Sequence, residues 1–177
     1  RFCALAMMLQ KSRKRYTHPC FCGKLGEADD SCSCTPTMVE RYRRRLSGPL
    51  LDRIDLHIEV PRVPHRELAD PVDAESSATI RARVESARTL QNQRLAPYGL
   101  YANARMGARQ IRKFCPLDAA GEQLLEMVTE RLGLSARTYS RILKVARTIA
   151  DLAGEEEIRQ EHLAEAIQYR GLDRKLR

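Results

Sequence analysis

The last third of the chain leaves the fewest choices. Asp118 stands before an apolar series, Leu124, Leu125, Val128 and Leu132, that stops at Gly133, and Ser135 opens a second series, Tyr139, Ile142, Leu143, Ala146, Ile149, Ala150 and Ala153, that stops at Gly154. Both series recur at three and four residues, the period of one helix face, and both lie between a capping residue and a glycine. A third helix is expected from about Gln160 to Tyr169, with Leu163, Ala166 and Ile167 inward. Connections this short force antiparallel neighbours, so a small helical bundle is expected.

Arg137 falls in the first turn of the second of these helices. A cation there opposes the helix dipole, which favours anions at that end. Something negative is expected nearby, either a bound nucleotide phosphate or an ion pair with Glu130 or Asp118.

Upstream the pattern thins. Ser76 or Ser77 can cap a helix to about Leu95, with Ile80, Val84, Ala87 and Leu90 or Gln91 along one stripe. That stripe has few bulky residues, so the helix is expected to pack on something rather than to centre a core. Pro97 and Gly99 end it, and a short helix is expected around Ala108 to Phe114. Pro61, Pro64 and Pro71 mark a linker before it.

Ser47 to Val60, SGPLLDRIDLHIEV, places Ile54, Leu56, Ile58 and Val60 on alternate positions and reads as a turn feeding a half-buried strand. Arg53 sits at the mouth of that strand. A rigid element can aim a guanidinium there at a phosphate on a neighbouring subunit. The plainer alternative is a solvated charge at a strand start. Phe2 to Leu9, a continuous apolar run, fits a buried strand or a helix turn.

Four cysteines lie in two close pairs, Cys20 and Cys22, then Cys32 and Cys34, with Gly23 and Gly26 between them. Four thiolates so arranged can close a tetrahedron around zinc, although C-x-C is tighter than the usual C-x-x-C. Two disulfides or four free thiols are the alternatives, and a cytoplasmic chain disfavours the first. His18 is a possible competing ligand. Cys3 and Cys115, in apolar surroundings, read as core residues. From Thr37 to Leu46 a short amphipathic helix is expected, capped by Thr35 and opened by Pro36, with Met38, Tyr42 and Leu46 on one face.

Lysine and arginine exceed aspartate and glutamate by 31 to 23, giving a net charge of +8. That balance favours an anionic partner. Lys11, Arg13, Lys14 and Arg15 in a loop, with Arg41, Arg43 and Arg44 on the outer side of the short helix, are the candidate nucleic-acid contacts; solvated surface is the alternative for both. The apolar run near the start is shorter than the roughly 20 residues that span a bilayer and lacks the flanks of a signal peptide. The expectation is a cytoplasmic piece of a larger protein, without a membrane partner.

The segments PCFCG, RYRRRLSGPLLDRIDLHIEVPRV, ESSATIRARVESAR, LSARTYSRILKVARTIADLAG and EHLAEAIQYR resemble the C-terminal half of the YifB/ComM family, of the magnesium-chelatase-like branch of the AAA+ ATPases. The resemblance runs from His18 to near the end of the chain. It implies a hexameric, ATP-driven motor that acts on branched DNA in the complete protein, with ATP and Mg2+ bound there. By position, Arg53 in LLDRIDL matches that family's arginine finger. Arg137 in LSARTYSR matches its sensor-2 arginine, and Cys20, Cys22, Cys32 and Cys34 match the cysteine cluster inserted in its ATPase core.

The resemblance implies a fold that is mainly α with a small α/β remnant: the C-terminal part of an AAA+ core, a helical lid bundle and a four-cysteine, zinc-type loop. Residues 1–61 are expected to form the partial core, 62–75 a linker, 76–114 connecting helices and 115–177 the lid.

Two departures bear on activity. The sequence contains no G-x-x-x-x-G-K-[ST] run and no apolar strand ending in paired acids. The asparagine that the family places between an Ala-Met pair and Pro-Cys is replaced here: Ala6-Met7 is followed by Met8 and a basic segment, and His18 precedes Pro19. This chain alone is therefore expected to be inactive as an ATPase. The rival expectation is a stand-alone zinc-stabilised DNA-binding protein, or one that joins a complete hexamer.

Overall fold

The computed structural model describes residues 20–26, 31–44, 54–58 and 75–170. Among them the regular elements are helices: α1 (Pro36–Arg43), α2 (Ser77–Leu95), α3 (Ala108–Phe114), α4 (Ala119–Leu132), α5 (Ala136–Ala153) and α6 (Gln160–Gln168), with 3-10 turns at Ala96–Tyr98 and Asn103–Arg105. None is long and apolar enough to cross a membrane.

Local chemistry sets the ends of these helices. Thr35, Ser76, Asp118 and Ser135 each accept a hydrogen bond from a backbone N–H in the first turn that follows, of Met38, Thr79, Gly121 and Thr138 respectively. Each cap satisfies one of the donors that a helix start leaves without a carbonyl. At the other end, Gly133 and Gly154 take left-handed conformations, φ 55° and 77°, that a side chain would strain.

The core is built around α5. Ile142, Leu143, Val145, Ala146, Ile149 and Ala150 on that helix pack with Leu125 and Val128 of α4 and with Leu163, Ala166 and Ile167 of α6. Leu95, Met106, Ile111 and Cys115 close the same core from the other side. Thus the segments expected as connecting helices and as lid share one apolar interior. Helix α2 turns Val84, Ala87, Gln91 and Leu95 inward, so the fourth position of its stripe is Gln91 while Leu90 is exposed.

Three expectations need correction. Tyr139 is exposed rather than inward, and the neighbouring Thr138 takes the buried place in the first turn of α5. Ala153, the last residue of α5, is exposed as well. On α1, Val39 is the buried residue and Met38 is exposed, while Tyr42 is half-buried.

The third concerns the strand. Residues 54–58 form no strand; they are an irregular segment docked on helix ends. The N–H of His57 donates to the carbonyl of Tyr169 at 2.7 Å, the Arg170 guanidinium donates to the carbonyl of Ile54, and Asp55 pairs with Arg141 of α5. Leu56 packs on the core and Ile58 is exposed. The alternation of apolar residues is satisfied here by a helical surface in place of a neighbouring strand. Phe2–Leu9, Cys3, Leu46 and Val60 lie outside the described residues.

Candidate metal centre and the exposed lid arginine

Cys20, Cys22, Cys32 and Cys34 come together. The Sγ atoms of Cys20 and Cys22 are 3.3 Å apart, those of Cys20 and Cys32 3.7 Å, and those of Cys22 and Cys32 3.6 Å. All four sulfurs lie within 4.8 Å of one another. A zinc ion at its usual ~2.3 Å from four sulfurs sets them about 3.8 Å apart, so the cluster is close to the size of a filled site. The four are free thiols.

The backbone prepares these sulfurs to be anionic. The N–H of Gly23 closes a turn on the carbonyl of Cys20 at 3.2 Å. Backbone hydrogen bonds from Leu25, Lys24, Cys34 and Cys22 reach the sulfurs of Cys20, Cys22, Cys32 and Cys34 in that order, each favouring the thiolate. The Lys24 bond and the Cys20 thiol hold Cys22 down at about 6. Cys32 also receives a backbone bond, from Cys34, but loss of water and the neighbouring sulfurs outweigh it and push Cys32 up to about 11. Four negative sulfurs cannot coexist at this spacing without a cation, and a divalent metal would remove the conflict.

The loop continues directly into α1. Cys34 precedes the Thr35 cap, and Phe21 meets Tyr42 edge to face with ring centroids 6.2 Å apart. Metal in the loop would therefore fix where α1 starts and how it is aimed. Of the candidate nucleic-acid contacts on that helix, Arg41 is exposed, Arg43 is half-buried and Arg44 pairs with Glu40 at 2.7 Å. Lys11, Arg13, Lys14, Arg15 and Arg53 lie outside the described residues.

Arg137 occupies the second position of α5, behind the Ser135 cap, and is exposed. It makes no ion pair among the described residues, so neither Glu130 nor Asp118 answers its charge there.

One group of residues with no place in the sequence reading emerged in the interior. Asp151, fully buried, receives Arg147 Nε at 3.1 Å, Asn103 Nδ2 at 2.7 Å and the guanidinium of Arg94. Asn103 also donates from Nδ2 to Thr148 Oγ1 at 3.1 Å, and its backbone N–H donates to Gln91 Oε1 at 3.2 Å. Arg147 further donates to the carbonyls of Glu155 and Glu156, capping the end of α5. The network ties α2, the Asn103–Arg105 turn and α5 together. Apolar periodicity carries little signal for it: Arg147 and Asp151 lie one turn apart just outside the apolar arc of α5, where the pattern by itself reads as a solvated face.

Comparison with known proteins places the chain among relatives. The family described as magnesium chelatase, subunit ChlI C-terminal, matches residues 74–170, and that described as magnesium chelatase, subunit ChlI, matches residues 15–68. The chain is 46% identical over 143 residues to the competence protein ComM of Haemophilus influenzae, covering 80% of this chain and 27% of that protein. It is 45% identical over 144 residues to the uncharacterized protein YifB of Escherichia coli, covering 81% and 28%. An uncharacterized protein of Mycobacterium tuberculosis is 36% identical over 154 residues, covering 86% and 30%. The chain thus spans less than a third of the length of these curated relatives.

Proposed function

The chain belongs to the magnesium chelatase subunit ChlI family, as the C-terminal part of its YifB/ComM branch, and from that premise we propose that it supplies the lid and the trans-acting arginine of a hexameric, ATP-driven motor working on DNA in the cytoplasm. The observation that carries this reading is Arg137: a cation at the dipole's positive end, exposed and without an ion pair among the described residues. Such a position suits a group that meets phosphate only when nucleotide is present. Arg53, one residue before the segment docked by Arg170, is assigned the same task toward a neighbouring subunit's nucleotide.

The residues of this chain do not fit a complete nucleotide site. Two arginines can grip a γ-phosphate, but the sequence has no G-x-x-x-x-G-K-[ST] loop to cradle the remaining phosphates and no apolar strand ending in paired acids to hold magnesium. The four cysteines, by contrast, fit structural zinc, which would supply a fixed crosslink between the loop and α1.

The test is reconstitution with a P-loop-bearing polypeptide of the same family. ATP hydrolysis is expected from the mixture and not from this chain alone. Arg53→Ala in the mixture is expected to lower the rate by on the order of 10³. Hydrolysis by the purified chain alone, or a mixture indifferent to Arg53→Ala and Arg137→Ala, would overturn the reading.

A second reading has an observation of its own. The cysteine loop, the Thr35 cap and the basic face of α1 form one continuous unit, which also suits a zinc-stabilised nucleic-acid contact independent of ATP. Zinc-dependent DNA binding by the chain without nucleotide would favour it.

A further inference from the structure

From Ser86 to Leu117 the chain has no acidic residue, yet it holds Arg88, Arg94, Arg105, Arg109, Arg112 and Lys113. Arg94 is used inside, on Asp151. Arg105, Arg109, Arg112 and Lys113 are all exposed, and none of the four makes an ion pair among the described residues. On α3 the spacing places Arg109, Arg112 and Lys113 within an arc of about 100° on the side away from the buried Ile111.

Aromatic rings border this face. Lys113 Nζ donates to the hydroxyl of Tyr98 at 2.6 Å and stands 5.3 Å from that ring's centroid, while Tyr98 meets Phe114 edge to face at 5.5 Å. Tyr101, three residues on, is 69% exposed and has no ring partner among the described residues. Tyr101, a large exposed ring, is followed within twelve residues by these four exposed cations, which have no ion pair among the described residues. Both halves suit one ligand: a chain of phosphates whose bases are free to stack.

We propose that Tyr101 together with Arg105, Arg109, Arg112 and Lys113 forms a binding surface for single-stranded nucleic acid. The cations track the backbone and Tyr101 takes a base on its face, with no sequence preference, since every base presents a π-surface. A duplex keeps its bases stacked and offers Tyr101 nothing, which is why a single strand is the favoured form. The surface rests on the nucleic-acid part of the function proposed above and not on its nucleotide part.

The test measures fluorescence anisotropy of a labelled oligothymidylate of about 16 nucleotides with the full chain, across salt from about 50 to about 200 mM. The double variant Arg109→Ala/Arg112→Ala is expected to reduce the slope of log affinity against log salt by about 1.4, two phosphates at ~0.7 each. Tyr101→Ala is expected to weaken binding about tenfold at unchanged slope, and Tyr101→Phe to restore it. All three side chains are exposed, so the unfolding midpoint should not move, which separates lost binding from lost fold. If the oligonucleotide binds but none of these variants changes it, while Arg41→Ala/Arg43→Ala does, the surface is wrong and the DNA partner stands. Equal affinity for polyglutamate, or no binding even at low salt, also overturns the proposal. None of these outcomes touches the ATPase mixing result.

Discussion

Arg147 and Asp151, one turn apart on α5, are both enclosed by the fold, with Arg147 Nε 3.1 Å from Asp151 Oδ1. The carboxylate also answers Arg94 from α2 and Asn103 from the turn after it. One buried anion therefore holds three separate elements. Breaking such a pair from one side leaves charge without compensation, whereas removing both sides costs far less.

Asp151→Ala is accordingly expected to destabilise the chain by about 3–5 kcal/mol, the range for an orphaned buried ion. The urea unfolding midpoint checks it. A shift no larger than that of an exposed-site control such as Glu122→Ala would mean that water reaches Arg147.

Arg137→Glu is expected to leave the fold intact and to raise its stability by roughly 0.3–1 kcal/mol, because it replaces a cation with an anion at the positive end of α5. Thermal unfolding measures this. The same substitution should abolish hydrolysis in the reconstituted motor, so stability and activity should move in opposite directions.

The cysteine cluster is expected to take one zinc per chain, with Cys22→Ser and Cys34→Ser each lowering affinity by orders of magnitude. Binding must release protons, chiefly from Cys32 and Cys34, whose thiols are held high, while Cys22 is ionised above about 6. Affinity should therefore rise with pH between about 6 and 8, measured by competition with a chelator. The bundle core contains none of these four residues, so chelation should leave its unfolding midpoint in place.

Burial pushes the Cys115 thiol up to about 12, against partial relief from Arg147 and Arg94. The folded chain thus holds that proton more tightly than the unfolded chain, whose cysteine titrates near 9. Its contribution is complete below pH 9 and is lost as pH rises from there toward 12, at up to about 1.4 kcal/mol per unit. Cys115→Ala should remove this slope from the pH dependence of unfolding, and in the native chain Cys115 should react with thiol reagents far more slowly than Cys22.

Arg170→Ala is expected to release residues 54–58 while sparing the core, since it removes the bond to the Ile54 carbonyl. Hydrogen exchange at the His57 amide, bonded to Tyr169, should accelerate by at least tenfold, about 1.4 kcal/mol of local protection. Unchanged exchange would show that Asp55–Arg141 suffices to hold the segment.

The helices and their ends were legible in the amino-acid order because their causes are local. Ser76, Asp118 and Ser135 cap within three residues, and Gly133 and Gly154 relieve strain at one position each. The cysteine cluster was legible for a similar reason: ligand spacing and two glycines suffice to close a short loop. What only the tertiary structure decided are relations between distant residues. Whether Ile54, Leu56 and Ile58 would pair with a strand or rest on helices depended on Tyr169, Arg170 and Arg141, more than 80 residues away in the chain. The partners of Asp151 come likewise from three elements, and the face shared by Tyr98 and Lys113 exists only once α3 folds against the turn before it. Apolar periodicity states which side of a helix is buried; it carries no record of what covers that side, because burial is indifferent to the identity of the neighbour and paired charge is not.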